Sequence, residues 1–206
     1  MKLCLKKTLI TSIALASSLE ALAESNWMVR TRALAIMPDV SGSPSVIGGD
    51  VRINTQSVPE LDFTYFFKKN FAMELILATA THQVGVKNSS LDNVDLGSVS
   101  LLPPTLLAQY HHEWGNFKPY VGAGLNYTMF YNAQSGDVNS VKYDNSLGYA
   151  LQVGLDYKIT DKVYLNFDVK KLYLETTAKV RAGATRVKAD VDIDPLLVGV
   201  GIGYRF

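Results

Sequence analysis

The sequence predicts an all-β protein: one eight-stranded antiparallel transmembrane β-barrel of the outer-membrane type, carried behind an export leader. Three observations predict it. The last residues alternate between apolar side chains and glycine, and the same two-residue period recurs along the chain. After the leader, no stretch is long and apolar enough for a membrane helix, although 48% of the residues are hydrophobic.

The leader comes first. Lys2, Lys6 and Lys7 make a basic start, Leu9 to Ala16 is a short apolar run, and Ala21-Leu22-Ala23 is a small-x-small cleavage site. The run is too short to span a bilayer, so residues 1–23 are expected to be a signal peptide and 24–206 the barrel. The single cysteine, Cys4, precedes the apolar run, where a lipoprotein cysteine would follow it. Its loss with the leader leaves no thiol for disulfide, metal or nucleophile chemistry. Cleavage also removes three lysines and Glu20 from a chain of net charge +1, so no basic excess remains to hold nucleic acid.

The strands follow in order. Trp27 to Met37 is the first. Leu61, Phe63, Tyr65 and Phe67 alternate with Glu60, Asp62 and Thr64; after a turn at Lys68-Lys69-Asn70, Phe71, Met73, Leu75 and Leu77 stand against Glu74. Leu101 to His111 is interrupted by Pro103-Pro104, which cannot donate ladder hydrogen bonds and predict a break or bulge. From Lys118 to Phe130, Val121, Ala123, Leu125 and Tyr127 oppose Tyr120, Gly122, Gly124 and Asn126. Leu147, Leu151, Val153, Leu155 and Tyr157 oppose Gln152, Gly154 and Asp156, and Leu165, Phe167 and Val169 oppose Asn166, Asp168 and Lys170. The last strand alternates Val198, Val200, Ile202, Tyr204 and Phe206 with Gly199, Gly201, Gly203 and Arg205. That makes about eight strands of membrane-spanning length. Tyr204 and the terminal Phe206 match the signal read by the barrel assembly machinery. The strand glycines open no helix, so a dinucleotide-binding reading fails; close packing or sharp curvature on the inner face explains them better.

Connections alternate in length. Short turns are expected near Lys68-Asn70, Glu113-Lys118 and Ile159-Lys162, with long loops near Pro38-Gly49, Gly85-Gly97, Asn132-Asp144 and Thr176-Lys188. An even strand number puts the short turns and both chain ends in the periplasm and the loops outside. Trp27, Tyr65, Phe66, Phe67, Tyr110, Trp114, Phe117, Tyr157, Tyr164, Tyr204 and Phe206 sit near strand ends, many beside the short turns, as an interfacial girdle would.

A soluble sandwich or a lipocalin-like barrel would show the same period with the apolar face inward. The charges decide. Glu60, Asp62, Glu74, Asp156, Asp168, Lys170 and Arg205 all oppose the apolar face in strand interiors, which suits lipid outside and a polar lumen. With Arg30 and Arg32 they are expected to pair into a network filling the periplasmic half of the lumen, since unpaired charges there would be costly. Leu34, Ile36, Leu107, Phe130 and Leu172 are apolar residues on the otherwise polar face. They either line an apolar upper lumen or merely fill the barrel.

Trp27-Met28-Val29-Arg30, Pro59-Glu60-Leu61-Asp62-Phe63, Leu101-Leu102-Pro103-Pro104-Thr105, Pro119-Tyr120-Val121-Gly122-Ala123-Gly124 and Gly203-Tyr204-Arg205-Phe206 lie in order along the whole chain. In them the sequence resembles the outer membrane protein W (OmpW) family of small porin-like barrels. The resemblance implies a bacterial outer-membrane, multi-pass protein that passes small hydrophobic molecules. It also implies roles in stress adaptation, as a bacteriocin receptor or as a surface antigen. If the lower lumen is closed, such a solute would enter from outside and leave sideways into the bilayer. Outer-membrane lipid and lipopolysaccharide are then expected surroundings.

Two other classes compete. A non-transporting barrel could act through its extracellular loops as receptor, adhesin or antigen, and nothing in the sequence excludes it. A barrel enzyme would need a Ser/His/acid arrangement. Ser98 and Ser100 approach the level of His82, but no catalytic motif surrounds them, so no catalytic residue and no cofactor is expected. His111 and His112 point to opposite faces and cannot share a metal. Asp190, Asp192 and Asp194 alternate on one face, where a calcium site is conceivable but a solvated or Arg-paired edge fits better, so no metal is expected.

Overall fold

The computed structural model describes residues 26–41, 50–89, 92–182 and 185–206; the expected signal peptide lies outside the described residues. All regular elements described are strands. They run β1 (Trp27–Met37), β2 (Val40–Ser41), β3 (Asp50–Ile53), β4 (Gln56–Lys68), β5 (Phe71–Ala78), β6 (Ala80–Ser89), β7 (Asp92–Leu102) and β8 (Thr105–His111). There follow β9 (Phe117–Gln134), β10 (Ser140–Tyr143), β11 (Ser146–Lys158), β12 (Val163–Tyr173), β13 (Glu175–Ala182), β14 (Thr185–Ile193) and β15 (Leu196–Arg205).

Eight of these close a ring in the order β1-β4-β5-β8-β9-β11-β12-β15, with β15 returning to β1 and every neighbour antiparallel. The seam that joins the two ends of the chain pairs Met28 with Arg205 and Ile36 with Leu197. Closure joins the first and last strands, so the ring has no terminal edge strand, the condition a membrane-spanning sheet must meet. The three expected short turns all lie at one end, where Trp114 and Phe117 exchange two backbone hydrogen bonds and the Ile159 amide donates to Val163.

The alternation sets the faces as the charges required. Leu61, Leu75, Leu125, Leu147, Val153, Phe167, Val200 and Ile202 are exposed, Leu147 by as much as 70%, while Arg30, Asp62 and Glu74 in the same wall are fully buried. The greasy side chains form an outer band and the ionised ones fill the cylinder. Interfacial aromatics gather at the short-turn end as the pairs Trp27–Tyr65, Phe71–Tyr110 and Phe117–Tyr157, and Tyr149 stacks on Tyr173 toward the other end. Phe66 and Tyr164, expected in that girdle, instead point inward and are buried with Met28 and Ala72. Both share the parity of their strands' polar face, which overrides their aromatic character.

Three of the expected long loops contain substantial strand. β6 and β7 form a hairpin across Gly85-Gly97, β9 runs on to Gln134, and β13 pairs with β14. Above the apolar band these strands form two extensions. One appends β7, β6 and β3 to β9; the other is a separate sheet in the order β10-β13-β14-β2. Between them Val84, Val86, Leu96 and Val99 make a second apolar core, with Phe130, Tyr143 and Val180 packed on it.

The wall is interrupted where β4, β5 and β8 part. Pairing of β4 with β5 stops at Glu60–Ala78, and pairing of β5 with β8 stops at Ile76–Thr105. It resumes between β6 and β7 only at Ala80–Leu101. Pro59, Pro103 and Pro104 border this gap, three residues without an amide to donate.

Candidate functional site

The lumen is built in tiers by alternate residues of the eight ring strands. Nearest the short turns lie Met28, Phe66, Ala72 and Tyr164. His111 stacks on Tyr120 at a centroid distance of 4.8 Å and meets the Phe66 ring at a tilt, 4.9 Å away. The charged tier sits above, because β1, β4, β5, β11 and β12 each bring an ionised side chain inward at matching height. The register places Arg30 opposite Asp62 and Arg32 opposite Glu60.

Within that tier the Arg30 guanidinium grips Asp156 at two points, Nη2–Oδ2 2.7 Å and Nε–Oδ1 3.2 Å. Its Nη1 donates to Thr64 Oγ1 at 2.6 Å and to Asp62 Oδ1 at 3.1 Å, with Glu74 Oε1 at 3.4 Å. Arg32 donates to Glu60 at 2.7 Å, Glu74 at 2.9 Å and Asn166 Oδ1 at 2.6 Å. Asp62 Oδ2 lies 2.9 Å from Arg32 Nη1, within ion-pair range though not aligned as a hydrogen bond. Lys170 Nζ bridges Glu60 at 2.9 Å and Asp168 at 2.5 Å. Eight of the nine residues expected in the network are therefore in it.

Arg205 is not. Its guanidinium lies over the Phe66 ring at 4.4 Å, a cation–π contact at the short-turn mouth. The residue continues the inward parity of β15, but the strand ends there, one layer below the carboxylates.

Neutral side chains complete the network. Gln152 donates to Glu74 at 2.8 Å and to Asp168 at 2.7 Å, and Gln109 donates to Glu74 at 2.7 Å. The Tyr120 hydroxyl donates to Asp168 at 2.9 Å, and Asn166 donates to Asp156 at 2.7 Å. Sequence reasoning placed Gln152, Asn166 and Tyr120 on the polar face without assigning them here. Their inward parity was the signal; partners drawn from strands far apart in sequence were not visible. Tyr120 also explains one glycine, since a Cβ on Gly154 would run into its ring. Three cations (Arg30, Arg32, Lys170) face five acids (Glu60, Asp62, Glu74, Asp156, Asp168), and the amide and hydroxyl donors hold the surplus oxygens.

Above the charges the lumen turns apolar. Leu34, Ile36, Leu107 and Leu172 join Ile76, Ala80, Ala150, Leu174 and Leu197 in one buried cluster. Phe130 does not join them; it stacks on Tyr143 at 5.6 Å in the core between the two extensions. β9 has by then run past the ring, so an inward residue there meets the extensions instead. A cavity of about 20 Å³ opens in the apolar tier, floored by Glu60 and Lys170 and walled by Leu34, Leu172 and Leu197. On one side it reaches Ala78, Thr79, Ala80, Leu101 and Pro103, the interrupted part of the wall.

The remaining candidates stay apart. His82 Nδ1 lies 3.0 Å from the Asn54 carbonyl oxygen, and Ser100 Oγ lies 2.9 Å from Thr81 Oγ1, so the two do not engage each other. Burial lowers the His82 pKa. Asp190 accepts from Thr177 Oγ1 at 2.7 Å and Asp194 from the Leu174 amide at 3.2 Å.

Comparison with known proteins supplies the wider setting. The OmpW family matches residues 23–206. An uncharacterized outer-membrane protein of Sinorhizobium fredii is 41% identical, covering 96% of this chain and 88% of its own. Outer membrane protein W of Vibrio cholerae is 33% identical over 89% of each chain. The dibenzothiophene metabolism operon protein PahQ of Pseudomonas aeruginosa is 28% identical over 89% of this chain and 90% of its own. Among solved structures, the outer membrane protein OprG of Pseudomonas aeruginosa superposes with a TM-score of 0.79 at 31% identity, over 88% of this chain and 96% of its own.

Proposed function

The chain belongs to the OmpW family of bacterial outer-membrane barrels, and from that premise we propose that it is a passive channel for small hydrophobic molecules, admitting them from outside and releasing them sideways into the bilayer. One observation carries the reading. The apolar cavity lies directly on the charged tier and abuts the gap in the wall at Pro103, so its apolar continuation is lateral rather than downward. Passage down the axis would drive an apolar solute through a paired ionic layer and break charge-assisted hydrogen bonds throughout.

At about 20 Å³ the cavity holds roughly one water, whereas a benzene-sized ligand needs on the order of 150 Å³. Transport therefore requires the side chains and strand ends around Ala78 to Ala80 to move apart, which the missing ladder bonds make easier. The relative named for dibenzothiophene metabolism supports an aromatic or similarly apolar solute. The test is a reporter assay for uptake of an apolar aromatic by cells with and without the protein. Faster uptake with the protein is expected; equal uptake removes the transport role and leaves a surface barrel acting through its extracellular strands.

A further inference from the structure

The extracellular sheet β10-β13-β14-β2 carries a feature that transport does not use. Its register sets Lys142 opposite Lys179 and Lys179 opposite Lys188, three lysines in one row across three strands. Like charges directly opposite one another destabilise a sheet unless something of the other sign answers them.

Of the three lysines, only the middle one is answered among the described residues. Lys179 Nζ lies 2.6 Å from Asp144 Oδ1, whereas Lys142 and Lys188 are exposed and make no ion pair among the described residues. These two stand two strand spacings apart, roughly 10 Å. They cannot turn inward, because the alternate residues Val141, Ala178 and Val191 are buried and Val180 packs against the extension core. The row thus lies on the outward face, in continuity with Tyr173 of the outer aromatic pair. Lys179 is six residues beyond Tyr173, about 20 Å of strand and on the order of 15 Å of height once tilt is allowed. That level is above the acyl chains, among the headgroup sugars and phosphates of the outer leaflet.

We infer that the lysine row is a docking surface for the phosphorylated saccharide headgroup of the outer-leaflet glycolipid, with Lys142 and Lys188 each taking one phosphate. Lysine suits the task as a hydrated point charge that meets phosphate without fixed geometry. The spacing selects a ligand with two anionic groups on one short oligosaccharide over a single phosphodiester. The inference does not depend on transport, only on outer-membrane placement.

The test uses the barrel purified from outer membranes and placed in zwitterionic phosphatidylcholine nanodiscs. Binding of purified lipopolysaccharide is compared with binding of the same glycolipid dephosphorylated, for the parent, for Lys142→Ser/Lys188→Ser and for Lys142→Arg/Lys188→Arg. Heat-modifiable migration checks that each is folded. The serine variant is expected to bind about tenfold more weakly, having lost two charge-assisted contacts, with the arginine variant close to the parent. Dephosphorylated glycolipid is expected to bind weakly and alike to all three. Equal binding by parent and serine variant overturns the assignment, as does competition by phosphatidylglycerol as effective as that by lipopolysaccharide.

Discussion

Arg30 and Asp156, 126 positions apart in the chain, form a two-point ion pair across the interior of the barrel, Nη2–Oδ2 2.7 Å and Nε–Oδ1 3.2 Å. The pair ties β1 to β11, strands that are not neighbours in the ring, so it is a strut through the lumen rather than a rung of the wall. Its partners Asn166 and Thr64 hold it in a single geometry.

Removing one member leaves the other charge buried. Asp156→Leu is expected to lower the unfolding free energy by about 3–5 kcal/mol, whereas Arg30→Met/Asp156→Leu recovers part of that loss. Urea unfolding in detergent micelles, followed by tryptophan fluorescence, measures both. Additive losses in the double variant would mean that the two residues act separately.

Gly154 leaves room for Tyr120. A side chain there meets the ring of Tyr120, which also donates to Asp168. Gly154→Ala is expected to cost about 1–3 kcal/mol through overpacking, and Tyr120→Ser in the same chain relieves the clash. Thermal loss of the compact gel form is the measurement. An unchanged midpoint in Gly154→Ala removes the close-packing argument.

Glu113, in the short turn between β8 and β9, is held at about 2 by the hydrogen-bonding ammonium groups of Lys118 and Lys69. A carboxylate depressed in the folded state stabilises above its ordinary pKa and ceases to do so as pH falls. Its contribution is therefore complete above about 4.5 and fades toward about 2. The turn is solvated, so the effect is at most about 1 kcal/mol. Glu113→Gln should lose that part of the acid dependence, read as the difference between parent and variant unfolding midpoints at pH 6 and pH 2.5. Equal differences at both pH values contradict the pairing.

Ala80 lines the cavity where it meets the interrupted wall. Ala80→Phe is expected to fill that passage and reduce uptake of an apolar aromatic several-fold while leaving the charged tier intact. Uptake is compared at matched levels of folded protein. Undiminished uptake would place the route elsewhere.

The ring was legible because each spanning strand has one face in lipid, which forces strict alternation. From Leu61, Leu151 or Val200 the parity of every charged neighbour follows, and with it eight members of the network. The extensions escaped because strands above the membrane need no continuous apolar face, and the Ser, Gly and Asn of residues 85–97 and 132–144 read as loop. Arg205 and Phe130 show a second limit. Parity tells which way a side chain points, but height along the axis depends on register between distant strands. One lies below the carboxylates and the other above the leucines. The ladder gap beside Pro103 was half visible: the prolines announced a break, but that β5 and β6 part at the same height did not show.

Which side of the cylinder touches lipid is decided most directly by nitroxide labels at Leu151→Cys, Val169→Cys and Val200→Cys, each in a Cys4→Ser background and reconstituted in bilayers. All three positions face outward in the apolar band. Relaxation by dissolved oxygen is expected to exceed relaxation by a water-soluble nickel chelate at each of them. Stronger relaxation by the chelate at all three would put water where acyl chains belong and turn the barrel inside out.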